Sequence, residues 1–155
     1  MKRMITGLAA FVFLFTLGAG LSAAEEKATK EECMAKAKEA AALIKEVGID
    51  EAKVKLGDPN GSFVWKDSYV AIEDFDEVMI THPMVPKMVG KSMKGIKDAN
   101  GKMFNAEFIQ IASGPGEGWV TYMWPKPGSK EPSAKSSYIY RVPGTNFIAI
   151  AGIYE

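Results

Sequence analysis

The chain has 155 residues, of which 19 are basic, 19 are acidic and 47% are hydrophobic. This balanced charge lacks the basic footprint of a nucleic-acid-binding protein, so we expect no nucleic-acid partner. The length suits one domain with its own hydrophobic core. A single cysteine excludes an internal disulfide.

The N-terminus has the layout of a secretory signal peptide. A basic "KR" precedes the uncharged apolar run "MITGLAAFVFLFTLGAGL", and the small residues of "SAA" precede the acidic "EE". The pattern predicts cleavage near Ala24, with a signal peptide over residues 1–24 and a single domain over residues 25–155. The alternative is an uncleaved membrane anchor, because the run approaches spanning length. We expect a periplasmic or secreted protein with no membrane span after cleavage.

Two helices are expected after the signal peptide. Residues 26–47 are rich in Ala, Lys and Glu, and their apolar side chains form one helical stripe. Thr29 and Glu32 have the spacing of a capping box, and Gly48 is a natural C-terminal stop. The stretch "DEAKVKLGD" predicts a second, short helix with Asp50 as its cap.

A β-hairpin and a long connection follow the turn sequence "DPNG". Residues 69–73 and 78–82 have strand patterns, and a turn separates them at residues 74–77. The connection over residues 83–101 is long for a segment without regular structure, and such a segment often covers a pocket. Helical spacing returns over residues 102–113.

The C-terminal part predicts three strands, at residues 119–124, 135–142 and 147–154. Their short connections favour antiparallel neighbours. We therefore predict an α+β fold, with a long N-terminal helix and a helix-and-loop layer on an antiparallel sheet of about five strands. The stretch "GWVTYMWPKP" is apolar on both faces, which predicts a central strand covered on both sides.

Five motifs occur in order over roughly residues 26–155. They are "GDPNGSFVWKDSYVAIED", "THP", "VGKSMKGIKDANGKMF", "GEGWVTYMWPKP" and "AKSSYIYRVPGTNFIAIAGIY". In their order and spacing they resemble the single Cache domain of the second type, an extracytoplasmic ligand sensor with a PAS-like sheet. The resemblance implies a small-molecule pocket between a five-stranded antiparallel sheet and the helix-and-loop layer.

The resemblance also implies a function. Such domains usually sit between two membrane spans in chemoreceptors or histidine kinases, and their ligands are often acetate, propionate, lactate or pyruvate. No second span or output module follows here, so we expect an exported, free-standing sensor domain for a short-chain carboxylate. Its partner would be a membrane receptor, kinase or transporter. The alternative is a protein-interaction module without a small ligand.

Tyr122, Trp124 and Lys135 are the leading candidates for ligand binding. Tyr122 and Trp124 lie two positions apart, so they share one face of a strand, and each joins an apolar body to a hydrogen-bonding tip. The resemblance places a lysine at the position of Lys135. A hairpin would put Trp124 opposite Lys135 or Ser136. In the first register, Lys135 and Ser137 face the same side of the sheet as Tyr122 and Trp124. In the second register, Lys135 faces the opposite side.

Four further residues are candidates. His82 is the only histidine, and it acts either as a structural hydrogen-bonding residue or as a ligand contact that makes binding pH-dependent. Phe63, Trp65 and Tyr69 could form another wall of the pocket. We expect no metal or cofactor, because His82 lacks a cysteine or histidine partner and "DANG" lacks the further acids of a calcium loop.

No motif of the sequence predicts catalysis. The chain lacks a nucleophile elbow, metal-ligand spacing and a Cys–His pair, so we expect it not to be an enzyme. Cys33 falls in the first helix as a half-buried apolar residue, with an intermolecular bridge as the alternative. A ligand-binding domain would contain a closed apolar cavity with a few polar groups, whereas an interaction module would have a filled interior and an apolar surface patch.

Overall fold

The computed structural model describes residues 26–155. The predicted signal peptide over residues 1–24 lies outside the described residues. In the part of the chain that is described, no helix is both long enough and apolar enough to span a bilayer.

The first helix, α1 (Lys30–Val47), begins at the predicted capping box. The Thr29 N–H donates to Glu32 Oε2 at 2.9 Å, and the Glu32 N–H donates to Thr29 Oγ1 at 3.2 Å. Gly48 ends the helix at φ 78°, a left-handed conformation that favours glycine. Both boundary predictions for α1 are therefore confirmed.

The second helix, α2 (Ile49–Leu56), follows without a linker. Gly48 therefore occupies the N-cap position, and the predicted Asp50 cap is wrong. Asp50 lies instead in the first turn, where a negative charge interacts favourably with the helix dipole. Its carboxylate accepts a hydrogen bond from Lys53 Nζ at 2.6 Å.

The strands of residues 26–155 form one antiparallel sheet. They are β1 (Val64–Trp65), β2 (Ser68–Asp74), β3 (Met79–Thr81), β4 (Glu117–Pro125), β5 (Pro132–Arg141) and β6 (Phe147–Tyr154). The order across the sheet is β1-β2-β6-β5-β4, and β3 pairs with β2 off this path. The predicted α+β fold is confirmed. The two-residue β1 makes six strands where about five were predicted.

The strand β4 lies at an edge of the sheet. The prediction of a central strand for this segment is therefore wrong. Side chains of the loop 98–102 cover the free edge of β4: the Met123 N–H donates to Asp98 Oδ2 at 2.8 Å, and Lys102 Nζ donates to the Thr121 carbonyl at 2.7 Å. These contacts satisfy backbone groups that an edge strand leaves open. On the outer face Thr121 is exposed and Met123 is half-buried, so the predicted cover on both faces of β4 is wrong there.

The sheet has a buried layer on each face, and the side chains of β6 point alternately into one layer and the other. Ala149 and Ala151 face the buried alanines of α1, and their small side chains let the helix approach the sheet closely. Ile148 and Ile150 point to the opposite side, toward the helix α3 (Phe104–Ser113). The α3 side of the sheet contains the site described below.

Cys33 is part of the α1 layer. Its side chain is fully buried, beyond the predicted half-burial, and its Sγ lies 3.8 Å from Ser68 Oγ. Burial raises the pKa of the thiol to about 11. A buried, protonated thiol is unsuited to an intermolecular bridge, so packing accounts for Cys33.

Candidate functional site

A buried cavity of about 20 Å³ lies between the sheet and the α3 layer. The volume is enough for a water molecule. The cavity walls are mainly apolar, and several hydrogen-bonding side chains interrupt them. These polar side chains are Tyr69, Glu73, His82, Asn105, Tyr122 and Lys135. The cavity therefore combines an apolar lining with a few converging polar groups, which is the usual composition of a small-molecule site.

Lys135 is the charged centre of the cavity. Its side chain is 2% exposed, and its Nζ donates to Tyr69 Oη at 3.0 Å. The same nitrogen lies 4.1 Å from the ring centre of Tyr69 and 4.9 Å from that of Tyr154. Two aromatic rings thus surround the ammonium in a cation–π arrangement. Across the described residues, Lys135 forms no ion pair with a carboxylate.

The pKa of Lys135 reflects two opposing effects. Burial lowers it, but the neighbouring phenol groups of Tyr69, Tyr122 and Tyr154 outweigh burial and raise it above the ordinary lysine value. Lys135 therefore keeps its proton at neutral pH. An ammonium has three N–H donors, and since Tyr69 accepts one, two are left to bind an anion.

Tyr122 and Trp124 line the cavity from β4, as predicted. Tyr122 is buried, its Oη lies 3.0 Å from Ser137 Oγ, and its ring stacks on Phe104 with centres 4.4 Å apart. Trp124 packs edge-on against the same Phe104 ring at 5.6 Å. The helix α3 thus holds both β4 aromatic rings in place through Phe104.

The β4–β5 register differs from both predicted alternatives. Tyr122 is opposite Lys135, and Trp124 is opposite Ser133, so pairing of Trp124 with Lys135 or Ser136 is wrong. The observed register differs from the first alternative by two residues. Because side chains alternate with a period of two, that shift leaves Tyr122, Trp124 and Lys135 on one face.

His82 directly follows β3 and is 3% exposed. Its Nδ1 accepts a hydrogen bond from the Val85 N–H at 3.1 Å, and its ring lies 4.7 Å from that of Tyr69. Burial, together with the nearby charge of Lys135, lowers the pKa of His82 to about 3. The ring is therefore neutral at physiological pH. His82 supports the turn after β3, which is the first of its two predicted roles, and it lines the cavity. Contact with a ligand stays a prediction, and a ring that is neutral at physiological pH does not make binding pH-dependent there.

Phe63 and Trp65 lie away from the cavity, so the structure removes them from the site. They pack in the α1 layer, on the opposite side of the sheet from Tyr69. The pairing of Val64 with Tyr69 explains this placement. Side chains alternate along β1, so when Val64 faces the Tyr69 side its two neighbours point to α1.

Sequence reasoning missed several residues around the cavity, and four of them bear on its polar chemistry and on the position of Lys135. Glu73 and Asn105 line the cavity, Tyr154 packs against Lys135, and Gly152 makes room for the lysine stem. Strand alternation could have found Glu73, since it shares a face with Tyr69 on β2. Asn105 carried no signal, because its position depends on how α3 docks on the sheet.

Gly152 permits the close approach of Lys135 to β6. A Cβ atom at this position would lie 2.9 Å from Lys135 Cε and 2.4 Å from Ser137 Oγ. It would also lie 2.8 Å from the Ser136 carbonyl oxygen, so any larger residue would strain the β5 backbone as well as crowd the two side chains. Gly152 therefore acts as a positioning residue for the charged centre.

The long connection covers the cavity, as its length indicated. Met93 lines the cavity at 3% exposure, and its N–H donates to the Glu77 carbonyl at 2.6 Å. A wider groove of about 590 Å³ adjoins the cavity, and Tyr69 and Trp124 line both spaces. These two side chains therefore lie between the buried cavity and the open groove.

Metal binding finds no support in residues 26–155. That part of the chain contains no cluster of three or more His, Cys, Asp or Glu side chains able to hold an ion. Asp98 of "DANG" uses its carboxylate on backbone N–H groups instead, at 2.9 Å to Asn100 and 2.8 Å to Lys102.

Comparison with known proteins identifies the family. The family model of the Cache domain matches residues 25–155. The chain belongs to the Cache domain family. It is a single Cache domain of the second type, and the family is a ligand-binding signalling module.

A curated relative of this Cache domain is a chemotaxis receptor. The methyl-accepting chemotaxis protein McpP of Pseudomonas putida strain KT2440 is 38% identical over 88 residues. The alignment covers 57% of this chain and 16% of McpP. The shared part is thus a small fraction of the receptor.

Solved structures give the same family. A Cache chemosensory domain studied for carboxylic acid recognition has a TM-score of 0.72 and 28% identity, covering 80% of this chain and 91% of that one. A periplasmic sensor domain of a chemotaxis protein has a TM-score of 0.64 and 28% identity, covering 80% and 88%. A methyl-accepting chemotaxis protein of Vibrio parahaemolyticus shares the fold, with a TM-score of 0.68, 24% identity and coverage of 81% and 87%.

Proposed function

We propose that this Cache domain binds a short-chain carboxylate in the buried cavity, with Lys135 as its counter-ion. One observation carries the proposal: within residues 26–155 the buried ammonium has no acidic partner, and two of its N–H donors are free. A carboxylate supplies the missing charge and two acceptor oxygens. The solved neighbour studied for carboxylic acid recognition supports the same ligand class.

The size of the cavity favours a small acid. At about 20 Å³ the cavity holds about one water molecule as it stands, so even an acid of two to four carbons must push its walls apart, and larger molecules would require extensive repacking. Tyr69 and Trp124 border the adjoining groove, so their side chains have space to move as a ligand enters. An apolar cavity with a few polar groups also favours a ligand-binding domain over an interaction module with a filled interior.

The cellular setting is the second part of the proposal. The domain is exported through the predicted signal peptide and works in the periplasm or outside the cell, where a membrane receptor, kinase or transporter reads its bound state. The chemotaxis receptor and the periplasmic sensor domain among its relatives support this setting. The free-standing form stays a prediction. Mass spectrometry of the exported chain should find Glu25 at the N-terminus, and an intact Met1 in the membrane fraction would contradict export by cleavage.

A thermal-shift screen tests the ligand. We expect at least one monocarboxylate of two to four carbons to raise the Tm of the wild type, and Lys135→Met to lose that response. The control Lys45→Met removes an exposed lysine from α1 and should respond like the wild type. The proposal fails if no acid shifts the wild type, or if Lys135→Met responds equally well.

A further inference from the structure

Glu73 on β2 and Asn105 in the first turn of α3 form a buried pair that joins the sheet to the helix. Glu73 is 0% exposed and Asn105 is 2% exposed, and both line the cavity. Asn105 Nδ2 donates a hydrogen bond to Glu73 Oε1. Glu73 Oε2 and Asn105 Oδ1 are also buried, and neither has a hydrogen-bond partner among the described residues as long as Glu73 carries no proton.

One proton on Glu73 satisfies both of these oxygens. A protonated carboxyl group gains an O–H donor, and the amide oxygen of Asn105 is the acceptor within the same pair. Two hydrogen bonds then run in opposite directions between the carboxyl group and the amide. Without the proton both oxygens are acceptors, and the buried charge also lacks a cation, because Glu73 forms no ion pair within residues 26–155. Since an uncompensated buried charge is costly, the fold favours the protonated pair.

The surroundings of Glu73 act in the same direction. Burial raises the pKa of Glu73 to about 8, and the nearby carboxylates of Glu77 and Asp74 add to this rise, against the hydrogen bond from Asn105. The pair is therefore protonated at neutral pH and loses its proton in mildly alkaline solution.

Other titratable groups face the same cavity from β2, β4, β5 and the turn after β3. They are Tyr69, His82, Tyr122 and Lys135. Burial lowers the pKa of His82 to about 3, and the pKa values of Tyr122 and Lys135 are raised above their ordinary values. These three groups therefore keep their charge between pH 6.5 and pH 9.0, the range in which Glu73 titrates.

The state of the pair affects the cavity in two ways. Asn105 directly follows Phe104, whose ring stacks on Tyr122, so the bonds of the pair fix the helical turn that forms this wall. Among the described residues that line the cavity, Lys135 is the one cation, and a protonated Glu73 leaves its charge available to an anion. An ionised Glu73 would oppose that charge and would loosen the first turn of α3.

We propose that Glu73 and Asn105 form a proton-dependent lock between β2 and α3, so that this Cache domain binds its carboxylate together with a proton and responds to alkaline pH as well as to the ligand. The inference rests on the proposed function, because Lys135 must hold the carboxylate for the lock to act on its binding. The coupling is reciprocal: the proton strengthens ligand binding by the same factor by which the ligand strengthens proton binding.

Calorimetry across pH tests the lock, with acetate and propanoate as the probes. From pH 6.5 to pH 9.0 we expect the wild-type affinity for at least one of them to fall by about 5- to 10-fold, the range that one group titrating near pH 8 allows. Glu73→Gln keeps a donor and an acceptor for Asn105 but has no proton to lose, so its affinity should stay constant over this range. The control Glu107→Gln removes a carboxylate of α3 that pairs with Lys102 outside the cavity, and it should show the full wild-type loss.

Proton uptake gives a second measurement, which needs no variant. At pH 8.0, a tenfold coupling predicts an uptake of about 0.4 proton for each carboxylate bound by the wild type. This uptake appears as a difference between the binding enthalpies in HEPES and in Tris, because the two buffers differ in ionisation enthalpy. Constant affinity of the wild type across pH, or an equal loss in Glu73→Gln, would overturn the lock while carboxylate binding through Lys135 still stands.

Amide exchange separates a failure of the lock from a failure of the proposed function. If neither acid binds the wild type at any pH, the proposed function fails, and so does the coupling to a carboxylate. The lock itself still predicts that Phe108 and Ile109, whose N–H groups bond to the first-turn carbonyls of α3, exchange clearly faster at pH 9.0 in the wild type than in Glu73→Gln. Equal exchange in the two proteins at pH 9.0 would overturn the lock as well.

Discussion

Lys135 Nζ lies 3.0 Å from the hydroxyl oxygen of Tyr69 and 4.1 Å from the centre of the same ring. Tyr69 therefore both accepts a hydrogen bond from the ammonium and presents its ring face to the charge. The two residues are 66 positions apart in the sequence. Tyr69 on β2 and Lys135 on β5 therefore come together only in the folded protein, where both strands line the cavity.

Removing the Tyr69 hydroxyl should destabilise the protein. Tyr69→Phe keeps the ring but takes away the acceptor of a buried ammonium, and a hydrogen bond to a charged group is worth about 1.5–3 kcal/mol. We expect the free energy of unfolding in urea to fall by about that amount. Tyr140→Phe is the control, because Tyr140 is half-buried and lies outside the cavity. Equal stability of Tyr69→Phe and the wild type would show that the bond does not hold Lys135.

Adding a methyl group at Gly152 should weaken carboxylate binding. The new Cβ would lie 2.4 Å from Ser137 Oγ, 2.8 Å from the Ser136 carbonyl oxygen and 2.9 Å from Lys135 Cε, so the backbone of β5 and the lysine stem must both shift. We expect at least a tenfold loss of affinity by calorimetry, about 1.4 kcal/mol. Gly118→Ala is the matched control on β4, because its Cβ would approach only side-chain atoms of Ile111, at 3.2 Å or more. Unchanged affinity in Gly152→Ala would exclude a positioning role.

The stability of the protein should be highest between about pH 4.5 and pH 6.5. Burial, reinforced by the charges of Asp74 and Glu77 and opposed by the Asn105 bond, raises the pKa of Glu73 from 4.5 to about 8. From pH 4.5 to 8 the folded protein holds a proton that the unfolded chain has lost. The free energy of unfolding therefore falls as pH rises, by up to about 1.4 kcal/mol per pH unit.

His82 contributes the opposite slope at lower pH. Burial and the charge of Lys135 lower its pKa from 6.5 to about 3, so from pH 3 to 6.5 the unfolded chain binds the extra proton and stability rises with pH. The two slopes cancel where they overlap. In urea denaturation across pH, Glu73→Gln should lose the decline above pH 6.5, and His82→Asn should lose the rise below pH 4.5. If the decline above pH 6.5 persists in Glu73→Gln, another titrating group must cause it.

Asp98 should hold the covering loop against β4. Its carboxylate accepts from the Met123 N–H across the free edge, and that bond is the first cause of its lowered pKa. In Asp98→Ala, amide exchange at Met123 should become clearly faster. Asp58→Ala is the control, since Asp58 makes a similar turn bond to the Asn60 N–H but does not contact β4. Equal exchange at Met123 in both variants would contradict the role of Asp98.

The β4–β5 hairpin shows which features the sequence pattern could predict and which it could not. Alternation predicted that Tyr122 and Trp124 share a face, and this is confirmed, because the geometry of a strand sets the face of each residue locally. The partner of Trp124 was wrong, because the loop between the strands sets the register and its turn signals fit more than one pairing. The position of β4 at the edge was missed for a related reason: strand order depends on how distant strands pair.

The sequence by itself determined the helix boundaries at Thr29 and Gly48, the strand patterns and the α+β class, whereas Lys135 became a candidate only through the family resemblance. Capping, turn formation and alternation act over a few residues, so they can be recognised without the rest of the chain. Only the tertiary structure decided that Tyr69 meets Lys135, that Gly152 makes room for it, and that Glu73 meets Asn105. Those contacts join elements far apart in the chain, and burial acts on their side chains only after the layers have packed.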